Sequence, residues 1–272
     1  MNGRQKMHMI TLERELMLIK RKEKQYLRSL QKKKNAAWKI ELEKRIPQKG
    51  MDGLKAAFSK GFALVFKQGR AIIERSYDKD TIKDNHAIWD FAFQVKGTRN
   101  EIREIRKSAL RSHAMNMALT TVEGVGLGIL GVGLPDIVLF IAMLLRGVYE
   151  TALHYGFDYE SPYEQYLILK MMAASLASGD EIFTRNAELD SLMMQIGKEV
   201  TEEELAAQME DTAGVFAMDM LVLKFIQGLP VVGIVGGAAN PLYYHKIMNY
   251  VQLQYQKRFL EKLLGEQRAR IG

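Results

Sequence analysis

The chain of 272 residues contains no cysteine. That excludes a disulfide framework, a thiolate metal site and a cysteine nucleophile together. Only five prolines occur. No stretch of useful length alternates apolar and polar residues, as a half-exposed strand would. The common catalytic signatures are missing too. There is no Gly-x-Ser-x-Gly elbow, no phosphate-binding loop ending in Gly-Lys-Ser/Thr and no His-Glu-x-x-His. The first ten residues lack an apolar core of signal-peptide length, and charge crowds the stretch that follows. A cytoplasmic location is therefore expected.

What is present begins with an uneven charge. The net charge is +7, but residues 1–50 hold fifteen Lys/Arg against five Asp/Glu, and the remainder holds twenty-four against twenty-seven. The basic character belongs to an N-terminal arm. The body is close to neutral, and its apolar fraction of 47% is that of a chain able to bury a core.

The helical period dominates. Residues 10–45 read as one long basic helix, with Leu12, Leu16, Ile19, Leu27 and Leu30 as a narrow apolar stripe and a boundary at Pro47. Leu54, Phe58, Phe62, Val65, Phe66, Ile72 and Ile73 then recur at the spacing of a core-facing helix. Gly61 and Gly69 lie on nearly the same face of it, where a neighbouring helix could approach closely. Thr81 with Asp84 is a weak capping-box match, and Gly97 to Asn100 interrupts the helix that follows. Ser161-Pro162-Tyr163-Glu164 and Thr201 to Glu204 match capping boxes that open two further helices. Asn240-Pro241 starts a last one, which Gly265 should close in a left-handed conformation. The expected fold is all-α, a multi-helix bundle. It divides into a basic arm at 1–49 and a helical domain at 50–272.

Two glycine-rich apolar stretches stand out. The first carries Gly124, Gly128, Gly131 and Pro135. The second carries Gly228, Pro230, Gly233, Gly237 and Asn240. Their Gly-x-x-x-Gly spacing lets helix backbones come together. Each glycine costs an exposed helix up to about 1 kcal/mol against alanine, so tight packing must compensate. Val125–Leu145 has thirteen Leu, Ile, Val or Phe residues, worth about −4 to −8 kcal/mol on insertion, against about +3 kcal/mol for Asp136. The sum is marginal for a bilayer span. A hairpin turning at Pro135-Asp136 fits as well, and so does a helix pair buried in the protein core.

Chemistry is sparse. Asp136, His154 and Asp158 are the candidate polar groups for an acid–base or metal role. A helix cap at Asp136 and a polar cap by the other two are the plainer readings. No cofactor or metal is implied. Lys20, Arg21, Lys22, Lys32, Lys33 and Lys34 suit contact with an anionic leaflet, where each cation contributes about 1 kcal/mol. A merely solvated helix is the alternative. Nucleic acid is disfavoured because the arm carries only Tyr26 and Trp38 as aromatics.

Gly-Val-Gly-Leu-Pro-Asp-Ile (131–137), Leu-Arg-Gly-Val-Tyr-Glu (145–150) and Tyr-Gly-Phe-Asp (155–158) resemble the central signature of the EcsC family. Pro230 to Asn240, with the helix holding Tyr255 to Arg258, is similar to that family's C-terminal signature. The resemblance covers roughly residues 50–265 and leaves the basic arm outside it. It implies an accessory or interaction protein at the inner face of the membrane, because the family is named for a gene beside an ABC transporter linked to protein secretion. A membrane protein such as a transporter is then an expected partner. The resemblance carries over no catalytic residue and no reaction, so a lipid-acting or other enzyme using polar groups around the central hairpin stays as the alternative, as does a soluble helical domain with the glycine patches as its core.

Overall fold

A computed structural model describes residues 3–33, 48–119, 135–177, 179–195, 198–227 and 239–270. Among the described residues the protein is helical and has no strand. Helix α1 is Gly3–Lys33. Helix α2 runs Gln48–Leu64, passes through a π-helical turn at Val65–Gly69 and ends as Arg70–Glu74. Helices α3 and α4 are Lys79–Lys96 and Arg99–Leu119, α5 is Pro135–His154 and α6 is Pro162–Leu176. Helices α7, α8 and α9 are Glu181–Met193, Glu202–Gln227 and Ala239–Ala269.

Helix α5 is the centre. Its stretch Ile137–His154 is long and apolar enough to cross a membrane by length and composition, yet most of it is buried inside the protein. Helices α2, α3, α4 and α9 pack around it. Gly61 lets α2 close on it: a β-carbon there would stand 2.7 Å from Ile141 Cδ1. Gly147 does the same for α9, with Tyr244 Oη 2.4 Å from where a β-carbon would be. The part of the apolar run that follows Pro135 therefore has its surface taken up by protein. Gly69 differs from the expectation, since its nearest neighbours are atoms of Val65 in its own π turn.

Local signals fixed most boundaries. Ser161 Oγ accepts the Glu164 N–H at 3.1 Å, ahead of Pro162 at the first position. Thr201 and Glu204 form the full reciprocal box, at 3.2 and 3.0 Å. Gly97 ends α3 at φ 67°, its N–H donating to Phe93 O at 2.7 Å. Two expectations are corrected. Helix α3 is capped by Asp78, whose Oδ1 accepts the Thr81 N–H at 2.9 Å, so Thr81 with Asp84 is not the cap. Gly265 does not stop α9. The helix continues to Ala269, where Arg270 donates to Gln94 at 2.7 Å and Arg268 lies 3.7 Å from Glu13.

Candidate functional site

The three polar candidates do not assemble into one site. His154 ends α5, buried, and its Nε2 hydrogen-bonds Ser112 Oγ at 2.7 Å while its carbonyl meets His86 Nδ1 at 2.9 Å. Burial, and the neighbouring His86, pull its pKa down to about 4. Asp158 is exposed and accepts the Glu160 N–H at 2.9 Å, closing its own turn. No hydrogen bond joins it to His154. Asp136 falls in the first turn of α5, and its side chain lies outside the described residues. Among the described residues no group of three His, Asp or Glu is placed to share a metal ion.

The turn between α5 and α6 gathers more side chains than its sequence announced. Tyr159 stacks on Tyr149, ring centroids 4.0 Å apart, and donates to Glu74 Oε1 at 2.7 Å. Tyr77 Oη lies 2.7 Å from Tyr159 Oη. Lys79 bridges Glu74 and Glu160. Four residues beyond Glu160, Glu164 turns away from the reciprocal cap and takes Arg258 Nη1 at 2.6 and 2.8 Å, with Tyr255 Oη at 2.8 Å. Phe157 lies under Arg258, 4.0 Å from ring centroid to guanidinium. The two stretches that carry the family resemblance thus meet at Phe157, Tyr255 and Arg258. Sequence reasoning found both stretches and missed their contact, because only the fold brings α9 across the turn. The Glu164 pairs are largely buried and the Lys79 pairs partly exposed, and together they make the turn a clamp joining α2, α3, α6 and α9.

A second buried polar group holds α1. Lys257 is 2% exposed and pairs with Glu23 of α1 and Asp190 of α7. Gln254 Nε2 donates to Glu23 at 2.9 Å and to Asn186 Oδ1 at 3.0 Å, and Tyr250 Oη donates to Asn186 at 2.8 Å. Leu12, Ile19, Leu27 and Leu30 are buried in the common core. The apolar stripe foreseen for the arm packs mainly on α9, with Leu16 half-buried against the same core.

The opposite flank of α1 is the open one. Met7, Ile10, Met17 and Leu18 are 59%, 52%, 49% and 36% exposed. Together with Arg14 and Arg21, which complete the spacings of three and four, they share one flank of the helix. Lys6, Lys22, Lys24 and Arg28 are exposed beside it. Of the expected lipid contacts, Arg21 and Lys22 are exposed and Lys20 is half-exposed with Glu261 at 2.9 Å. Lys34 and the side chains of Lys32 and Lys33 lie outside the described residues, as do Gly124, Gly128, Gly131, Gly228, Pro230, Gly233 and Gly237. Pro135 opens α5 and Asn240 is in the first turn of α9.

Fold and surface define a class first: an all-α protein with a basic, two-faced N-terminal helix built into its core. The chain belongs to the EcsC protein family, whose model matches residues 11–260. The match begins inside α1, where the resemblance was expected to start only at residue 50. No curated protein and no solved structure matches the chain.

Proposed function

We propose that this protein is a peripheral protein of anionic membrane surfaces, held at the inner leaflet by the outer flank of α1. The observation that carries the reading is the exposed stripe Met7, Ile10, Met17 and Leu18 with cations on and beside it. A solvated helix that only confers solubility has no use for four exposed apolar side chains in register. Nucleic acid would engage the cations and leave the stripe idle. An interfacial helix uses both, its apolar flank entering the acyl boundary while Lys and Arg stay with the headgroups. At about 1 kcal/mol for each cation near the surface, three of them shift partitioning more than a hundredfold. The family resemblance adds a membrane-embedded partner, such as a transporter, to this role as an accessory protein.

Vesicle co-sedimentation tests it. Wild-type protein should bind vesicles containing phosphatidylglycerol and ignore neutral ones. Reversing Arg14, Arg21 and Lys24 to Glu should weaken binding at least tenfold. Replacing Met7, Ile10 and Met17 by Ser should weaken it while leaving the net charge unchanged. If that apolar-to-serine variant binds like the wild type, the stripe has no part in membrane contact and the proposal fails.

A further inference from the structure

Between the first two turns of α2, the middle of α8 and the end of α6 lies an open groove of about 530 Å³. Its apolar part is Met51, Leu176, Ala177, Val215 and Met218. Around it stand the carboxylates of Asp52, Glu181, Glu210, Asp211 and Asp219, with Lys55 as the one cation among its lining residues. Lys55 pairs with Glu210 at 3.1 Å. Arg185 grips Asp211 at 2.6 and 3.0 Å, and Lys246 reaches Asp219 at 3.6 Å. Arg185 also pairs with Glu181 at 2.8 Å, and with five carboxylates against these three cations the rim is net negative.

Gly214 sets this groove apart. A glycine inside a helix costs about 1 kcal/mol against alanine, so each one asks for a reason. Gly61 and Gly147 have theirs in Ile141 and Tyr244, which occupy the space a β-carbon would need. Gly214 has no such neighbour. A β-carbon there would meet only the Lys55 stem, at 3.8 and 3.9 Å, an ordinary contact. Gly50, Gly53 and Gly265 are as open, but of these helical glycines Gly214 is the one that lies in the wall of the groove. A side chain there would narrow the groove and keep another backbone away.

We propose that this groove receives a cationic amphipathic helix of a partner protein. The partner's apolar face lies on Gly214, Met51, Val215 and Met218, and its Lys and Arg side chains meet the carboxylate rim. Methionine suits such a floor because its flexible thioether adapts to varied side chains. Helix-in-groove recognition of this kind reads apolar anchors one turn apart. The α8 wall from Glu210 to Asp219 extends roughly 14 Å at about 1.5 Å per residue, two to three turns of a docked helix. Charge complementarity selects a basic helix over an acidic one and speeds the encounter. The inference stands apart from membrane binding, since it uses none of the α1 residues.

Fluorescence anisotropy with the full-length protein tests it. The probe is a dye-labelled 18-residue amphipathic helix of leucine and lysine. Its controls are a peptide of the same composition scrambled to remove the apolar face, and a leucine–glutamate helix. The wild type should bind the first probe saturably, more weakly as salt rises, and at least tenfold more tightly than either control. Gly214→Leu, and separately Asp52→Lys with Glu210→Lys, should each weaken binding at least tenfold with an unchanged circular dichroism spectrum. Gly214→Ala, adding only an ordinary contact, should bind within a few-fold of wild type. Equal binding by the leucine and charge-reversed variants, or by the scrambled peptide, overturns the proposal. So does a wild-type dimer in sedimentation that Gly214→Leu abolishes, which would make a second copy of this chain the occupant.

Discussion

His113 carries a cost that the fold does not recover. It is buried, stacked on Tyr244 at 5.3 Å and beside His245 at 5.8 Å, and neither of its ring nitrogens has a hydrogen-bond partner. A buried polar group left unpaired costs about 1–3 kcal/mol. His113→Phe should therefore stabilise the protein by about 1 kcal/mol in urea denaturation, and a loss of that size would contradict the reading. Burial, with His245 adding like charge, also pulls the His113 pKa down to about 4, as for His154. Both are neutral in the folded state where the unfolded chain titrates near 6.5. Their contribution is complete above about pH 6.5 and is lost as pH falls towards 4, because the unfolded state takes up the protons first. Asp190, whose carboxyl is pushed up by burial, works in the opposite sense at the acid end. Urea midpoints should fall between pH 7 and pH 5, and His113→Phe should flatten that fall. Lys257 is the opposite case, a buried cation with two carboxylates. Lys257→Met strands Glu23 and Asp190, and should cost roughly 3 kcal/mol or more of stability by thermal or chemical denaturation.

Among the elements, α5 shows what a sequence can and cannot say. Its apolar run reads equally as membrane segment or core, since lipid and protein interior ask for the same side chains. Only the packing of Ile141 against Gly61 and of Tyr244 against Gly147 separates them. Gly147→Ala should lower stability by about 1–3 kcal/mol, because Tyr244 Oη and Cζ and Met248 Sδ must all move. A neutral result in thermal melts would mean that α9 is not seated on α5 as described. The capping residues Ser161 and Thr201 were legible because the cap is a local hydrogen bond three residues long. The clamp at Glu164 was not, since Arg258 lies ninety-four residues away in sequence. For α1 the period was clear and the facing was not. The inner face holds His8, Thr11, Glu15 and Glu23 among its leucines, polar residues that a hydrophobicity pattern assigns to solvent.

For the whole molecule, the N-terminal helix presents two different faces. Inward it completes the core and enters the Glu23–Lys257–Asp190 network. Outward it offers apolar side chains ringed by cations. Because the inner face is tied down, membrane binding would bring the whole protein to the surface without releasing α1. The negative groove by Gly214 would then remain available to a cationic partner. The absence of cysteine makes the most direct test clean. A single Met17→Cys substitution carries an environment-sensitive nitrobenzoxadiazole dye, and a dye at Ala206 on exposed α8 serves as the control. On adding anionic vesicles, the label at residue 17 should shift to the blue and become shielded from iodide, while that at 206 stays unchanged. If residue 17 stays in water while the protein sediments with the vesicles, α1 is not the membrane-facing element and the account is wrong.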